Sequence, residues 1–362
     1  MGMGIEHIES AGANIVQAGM PVLSPQVSVL LPIRDAAPFL ETSLESLAEQ
    51  AFADFEIIAV DDGSVDETPA ILESWRRQDA RLRVIRGEGA GLVAALNLGL
   101  EHCSADLVAR MDADDRAHPN RLLRQTALFE KHTDLAVAGC QVEHFSDLGV
   151  GEGLRVYERW LNSLITHEDM HRERFVESPM PHPAAMFRRQ TVVAAGGYRN
   201  LAWPEDYDLW LRMFESGCLF AKVPEVLHFW RDRGDRLTRT DSRYAVERFL
   251  ECKAEHLMLG PLKHCRKLIV WGAGQTGRRL TKHLLRRGAP LENFIDIDPA
   301  KCGRTVRGVR VETPQFLESL SREPLDGLTI LAAVSSRGAR AKIRTALNAR
   351  GFRETENYWC VA

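Results

Sequence analysis

Four short apolar runs mark the first 115 positions: VSVLLPI (27–33), FEIIAV (55–60), LRVIR (82–86) and DLVARM (106–111). None alternates strictly between apolar and polar, and each is followed by apolar residues at helical spacing. Continuous apolar strands alternating with helices predict a parallel sheet covered on both faces. The same pattern predicts helices near 36–50, 66–79 and 90–101, and His118-Pro119 opens another with proline in its first turn. LAVAGC (135–140) reads as a further buried strand. Residues 141–180 are less regular, with helices expected near 156–166 and 168–176. Pro179, Pro181 and Pro183 make the next segment extended and rigid. A helix at 189–195 then stops at Gly196-Gly197. WPEDYDLWLRMFESG (203–217) predicts a helix opening at Pro204 and ending at Gly217, and residues 218–233 read as a closing pair of strands. A helix over 242–259 stops at Gly260-Pro261.

The pattern restarts near residue 266. KLIVW, the turn Gly272-x-Gly274-x-x-Gly277 and a helix follow one another, with strands at 294–298 and 328–336 and a last helix at 337–350. Asp296 ends the second of these strands. This is a βαβ unit with the glycine fingerprint of nucleotide binding. Gly272, Gly274, Gly277 and Asp296 are therefore candidates for a second nucleotide site. A full dinucleotide site uses two such halves, and only one is legible here.

The chain has 362 residues, which fits two domains. The expected division is a lead-in at 1–25, a catalytic domain at 26–241, a linking helix at 242–265 and a small Rossmann-like domain at 266–362. Residues 1–265 carry 28 Lys and Arg against 41 Asp and Glu, a net of −13, whereas residues 266–362 carry 18 against 9, a net of +9. This switch, the Gly260-Pro261 stop and the fresh βαβ pattern predict a separable second domain. No apolar stretch approaches the ~18 residues that a membrane span needs. The first residues lack the basic start and apolar core of a signal peptide. Seven scattered cysteines without a CxxC pair suggest reduced thiols rather than a zinc site. The expected setting is cytoplasmic, with peripheral contact at the inner membrane face and homo-oligomerisation both open and no nucleic-acid partner.

The chemistry concentrates at predicted strand ends. Asp112, Asp114 and Asp115 crowd three carboxylates behind the fourth run. Such crowding costs free energy unless a cation or a ribose hydroxyl relieves it. Oxygen-only donors suit Mg²⁺ or Mn²⁺, ions that usually reach substrate phosphates as well. The alternative is a solvated acidic turn. Pro32, Arg34, Asp61 and Asp62 fall on the same rim, where parallel sheets bind ligands.

VSVLLPIRD, VDDGSVDET, ALNLGL, MDADD, HPAAMFRR, GGYR and WPEDYDLWLRM occur in order over residues 26–240. In these motifs the chain resembles the family 2 glycosyltransferases, which have the GT-A fold. The resemblance implies a metal-dependent, inverting transferase that uses a nucleotide-diphosphate sugar. It implies metal at Asp112 and Asp114, with Asp112 also facing the donor, and nucleotide contacts from Pro32, Arg34, Asp61 and Asp62. It implies Asp206 as the catalytic base, with Asp208 competing two residues on, and an acceptor side formed by His182, Trp203 and Glu205. Arg231, Arg233 and Arg236 could close over the diphosphate, and His228 is a further candidate for the metal. The acceptor would be a glycan, a lipid-linked sugar or another hydroxyl, in the assembly of a surface polysaccharide or glycoconjugate. One rival is a nucleotidyltransferase that makes sugar nucleotides. It needs a glycine-rich basic loop after the first strand, where this chain has PIRDAAPFL. Another is a non-catalytic nucleotide-sugar sensor.

Overall fold

A computed structural model describes residues 24–320 and 326–362. The expected lead-in at 1–25 lies outside them except for its last two residues. The first part contains β1 (Val27–Ile33), α1 (Ala37–Ala48), β2 (Phe55–Asp61), α2 (Thr68–Gln78), β3 (Leu82–Arg86), α3 (Leu92–His102) and β4 (Leu107–Arg110). Next come β5 (Arg116–Ala117), α4 (Arg121–Lys131), β6 (Leu135–Phe145), α5 (Glu152–Ser163), α6 (His167–Glu173), β7 (Met186–Arg188) and α7 (Arg189–Ala194). The part closes with α8 (Glu205–Glu215), β8 (Leu219–Arg231), α9 (Leu237–Thr240) and α10 (Val246–Leu259). The eight strands form one sheet in the order β3-β2-β1-β4-β7-β6-β8-β5. The β3-β2-β1-β4 half is parallel, while β7 runs antiparallel to both β4 and β6.

Side-chain alternation explains the apolar runs. Val27, Val29, Leu31 and Ile33 pack with Leu40, Leu44 and Leu47 of α1 on one face. Leu30 packs with Val93, Leu96 and Leu100 of α3 on the other. A strand buried on both faces has no polar phase to show. Gly99 lets α3 sit directly on the sheet, since a Cβ there would lie 2.1 Å from Leu30 Cδ1.

The pair of strands expected over 218–233 is instead the single 13-residue β8. The sequence breaks at Pro224, but the pairing with β6 passes from Val223↔Cys140 to Val226↔Gln141. Pro224 and Glu225 fall in a bulge, which tolerates proline without ending a strand. β6 also outruns its expected end at Cys140, because Gln141–Phe145 alternates partly exposed with buried positions. The helix expected from 242 begins at Val246, behind a 3₁₀ turn at Ser242–Tyr244.

The second part contains β9 (Lys267–Trp271), α11 (Gln275–Arg286), β10 (Leu291–Ile295), β11 (Thr305–Val306), β12 (Val309–Glu312), α12 (Phe316–Leu320), β13 (Leu328–Ala332), α13 (Ala339–Asn348) and β14 (Tyr358–Cys360). Its sheet order is β11-β12-β10-β9-β13-β14, parallel apart from β11. This is more than the one βαβ unit that the sequence reveals. The strands it hides, β11, β12 and β14, have only 2, 4 and 3 residues.

The two parts share a core, which differs from the expected separability. Phe175, Tyr207 and Leu211 join Leu250 and Leu257 of α10 and Leu268, Val270, Leu280 and Leu284 of the second part in one apolar cluster. Buried Glu173 accepts from Arg340 (3.0 Å) and Arg344 (2.6 Å) of α13. Helix α10 is therefore an inner layer and not a tether.

Candidate active site

The rim at the carboxyl ends of β1 and β2 is held by its own carboxylates. Asp61 Oδ1 accepts from the Ser64 amide at 3.0 Å, and its other oxygen has no hydrogen bond among the described residues. Asp62 accepts from the amides of Ala90 (3.1 Å) and Gly91 (2.8 Å), fixing the approach to α3. Pro32 pairs with Val60 on the same rim. Half-exposed Arg34 lies 3.9 Å from Asp62.

The acidic turn follows β4. Oxygens of Asp112, Asp114 and Asp115 lie within 4.8 Å of one another. Burial and the charges of Asp115 and Asp112 raise Asp114 to about 6, against the pull of Arg233. Burial also opposes ionisation of Asp112, but the charges of Arg110 and Arg236 outweigh it and lower its pKa. Asp115 is taken up elsewhere. Its carboxylate accepts from His228 Nε2 at 2.9 Å and from the Arg231 amide at 2.8 Å. Arg121 donates to His228 Nδ1 at 3.2 Å, so Nε2 carries the proton directed at Asp115. Burial holds His228 well below its usual pKa and neutral. Both of its nitrogens are occupied, so it is not available to a metal. The turn thus leaves Asp112 and Asp114 facing the cleft, an oxygen donor set that fits Mg²⁺ or Mn²⁺.

Arg110, absent from the sequence candidates, sits beneath this pair at 2 % exposure. Its Nη1 lies 2.7 Å from Asp112 Oδ1, but without hydrogen-bond alignment, and its Nε has no partner among the described residues. Arginine inside an otherwise apolar strand was the signal for it. Unsatisfied guanidinium donors lining a cleft are suited to an anionic oxygen.

Pro204 caps α8 and puts Glu205 and Asp206, which line the same cleft, in its first turn. Tyr244 Oη lies 3.0 and 2.8 Å from the two oxygens of Glu205. Burial, reinforced by the charge of Glu205, raises Asp206 to about 8. Asp208 points elsewhere. It accepts from Trp203 Nε1 (3.2 Å), Arg212 Nε (2.8 Å) and His256 Nε2 (3.1 Å). Asp206 therefore lines the cleft, whereas Asp208 and Trp203 do not. His182 does line the cleft, bonded to Tyr198 Oη at 2.8 Å, and burial keeps it neutral.

The cleft holds about 170 Å³, below the roughly 300 Å³ at which ligand pockets begin. The chain at 233–244 fills the remainder. Arg233, Arg236, Leu237, Thr238 and Tyr244 all line the cleft. Arg233 Nε lies 3.0 Å from Asp114 Oδ2, so a guanidinium pairs with one of the two candidate metal carboxylates.

Residues 28–194 match the family model described as Glycosyl transferase family 2. The chain is 34% identical over 201 residues to the amylovoran biosynthesis glycosyltransferase AmsE of Erwinia amylovora, covering 55% of this chain and 73% of that protein. It is 31% identical over 239 residues to a UDP-Gal:alpha-D-GlcNAc-diphosphoundecaprenol beta-1,3-galactosyltransferase of Escherichia coli, covering 64% and 83%. Among solved structures, S. aureus TarS 1-349 in complex with UDP-GlcNAc shares the fold at a TM-score of 0.51 and 17% identity, covering 72% of each chain.

Proposed function

The chain belongs to glycosyl transferase family 2, and from that premise we propose that it moves a sugar with inversion from a nucleotide-diphosphate donor to an acceptor hydroxyl, with Asp206 as base and a divalent metal at Asp112 and Asp114. It is a glycosyltransferase with a GT-A fold. The observation that carries the finer reading is that one cleft gathers Asp112, Asp114, Arg110 and Asp206.

In this reading Asp206 accepts the proton of the acceptor hydroxyl as that oxygen attacks the anomeric carbon. The bond from that carbon to the diphosphate breaks on the opposite face, so the configuration inverts. A bound Mg²⁺ or Mn²⁺ would neutralise charge on the departing diphosphate. Arg110, Arg233 and Arg236 add donors on the same side. Arg233 must leave Asp114 for this, and the 233–244 segment must lift to admit a nucleotide sugar. Relatives that act in amylovoran and diphosphoundecaprenol-linked sugar synthesis favour a surface polysaccharide or glycolipid acceptor. No helix of the described residues is long and apolar enough to cross a membrane, so a lipid-linked acceptor would be met at the bilayer surface. The nucleotidyltransferase and sensor readings have no comparable support.

Calorimetry with UDP and GDP in Mn²⁺ tests the metal site. Asp114→Asn should weaken metal-dependent nucleotide binding by at least ~10-fold while leaving the melting temperature near that of the parent. Unchanged metal dependence would remove Asp114 from the site. The pH profile tests the base independently. Only ionised Asp206 accepts a proton, and its pKa is raised to about 8. Transfer should therefore increase with pH well above the ordinary carboxylate range. Glu205→Gln removes the neighbouring like charge and should move that rise in kcat/KM to lower pH. A rise that stays in place argues against Asp206.

A further inference from the structure

The larger cavity lies outside this cleft, in the second part. It holds about 720 Å³ at the carboxyl ends of β9, β10 and β13. The chain leaves β9 toward β10 on one side and returns to β13 on the other. A crevice opens in open α/β sheets at such a reversal of strand order.

Three observations make this more than a topological gap. The first concerns the glycines. Gly272 has φ +122°, and a Cβ there would lie 2.7 Å from Ala333 O. A Cβ on Gly277 would lie 1.9 Å from Gly272 O. The fold itself therefore requires both. Gly274 is different. Its φ is −78°, and a Cβ there would meet no atom within 4 Å. It caps the 12-residue α11, where a side-chain oxygen would serve better than hydrogen. No contact within the protein requires glycine at 274, and its bare backbone leaves room for a ligand to rest against the start of α11.

The second observation is charge. Lys301, Arg337, Lys342 and Arg350 line the cavity against Asp296 and Asp298. Among the described residues Arg337 and Lys342 make no ion pair. The third is the division of the walls. The backbone amides that open α11, and the hydroxyls of Thr276 and Ser335 (3.2 Å apart), form a polar end. Beyond it stand Asp298, with a side chain 44% exposed, and Ile297, a large apolar residue left 77% exposed. The sequence candidate Asp296 proves to be part of the scaffold. Its carboxylate accepts from the amides of Ala273 (2.9 Å) and Asp298 (3.0 Å) and from Lys301 (3.2 Å).

We propose that this cavity is a second nucleotide site, holding phosphate against Gly274 and the start of α11 and directing the sugar and base toward Asp298 and Ile297. An anion alone would leave the apolar wall and most of the volume unused. A phosphorylated polyol carrying a flat apolar base matches all three features. The site needs no metal, because its positive charge comes from side chains and amides.

Titration calorimetry on the full chain in EDTA tests this, with ADP, UDP, GDP, NAD⁺ and inorganic phosphate as probes. At least one nucleotide should bind one-to-one, more tightly than phosphate, and equally well to Asp114→Asn. Which probe binds separates a mononucleotide from a dinucleotide. Gly274→Val, which the open space and ordinary φ allow to fold, should weaken that binding at least ~10-fold, and Arg337→Glu with Lys342→Glu should do likewise. The proposal is overturned if no nucleotide binds at 1 mM (roughly the weak limit of useful affinity), if phosphate binds as tightly, if Asp114→Asn removes the binding, or if Gly274→Val leaves it unchanged. The first, second and fourth outcomes leave the catalytic reading intact, since Asp112, Asp114 and Asp206 take no part in them.

Discussion

Asp206→Asn is expected to lower kcat for sugar transfer by at least ~10²-fold, the usual scale for loss of a general base, with donor affinity kept within a few-fold. The substitution preserves shape and removes the proton acceptor. It also relieves a burial cost, because the carboxyl is raised to about 8 by burial and by Glu205. The variant should therefore fold at least as well as the parent. Asp208→Asn should behave in the opposite way. Asp208 bonds Arg212 and His256 in the interior, and although burial opposes it, the hydrogen bonds and charges of Asp208 and Glu215 raise His256 to about 9. Removing one partner of a buried pair costs about 3–5 kcal/mol. A melting temperature lowered with little change in kcat is the expected signature. Kinetics and thermal melts on both variants check the assignment. Large loss of kcat in Asp208→Asn with a native melt, and none in Asp206→Asn, would move the base.

Ending the chain near 262 is expected to abolish the fold of the first part. The cut removes Leu268, Val270, Leu280 and Leu284 from a cluster that includes Phe175, Tyr207, Leu211, Leu250 and Leu257. Each large apolar side chain returned to water costs about 1.5–3 kcal/mol. Even partial uncovering of five such side chains removes a large fraction of the stability of a typical domain, about 5–15 kcal/mol. The cut also takes Arg340 and Arg344 from Glu173, whose side chain is only 4% exposed. Expression and circular-dichroism melts of the truncated chain decide the point. A soluble product melting cooperatively within a few degrees of the full chain would restore the separable reading.

The apolar runs at 27–33 and 55–60 reported strands buried on both faces, and these strands, with the half-buried edge strand at 82–86, stand at or within one residue of the positions read. Local signals sufficed there because a strand between two helix layers must be apolar throughout. The acidic strand end at 112–115 was legible for a related reason, since crowded carboxylates advertise their own electrostatic cost. The sequence by itself thus determined the parallel half-sheet, the carboxylate-rich rim at its strand ends and the glycine turn at 272–277. Only the tertiary structure decided the rest. Asp206 and Asp208 share one helical turn and one chemistry, and they are distinguished by what α10 brings to Asp208. Asp115 and Asp114 are chain neighbours, and β8 claims the first through His228. The 233–244 segment reads as a basic loop until Arg233 is seen on Asp114. Charge and pattern change at residue 266 as if a new domain began there, but the apolar faces of α8, α10 and α11 pack together. Local pattern records which face of an element is apolar. It does not record which partner covers that face, because that depends on contacts between residues far apart in the chain.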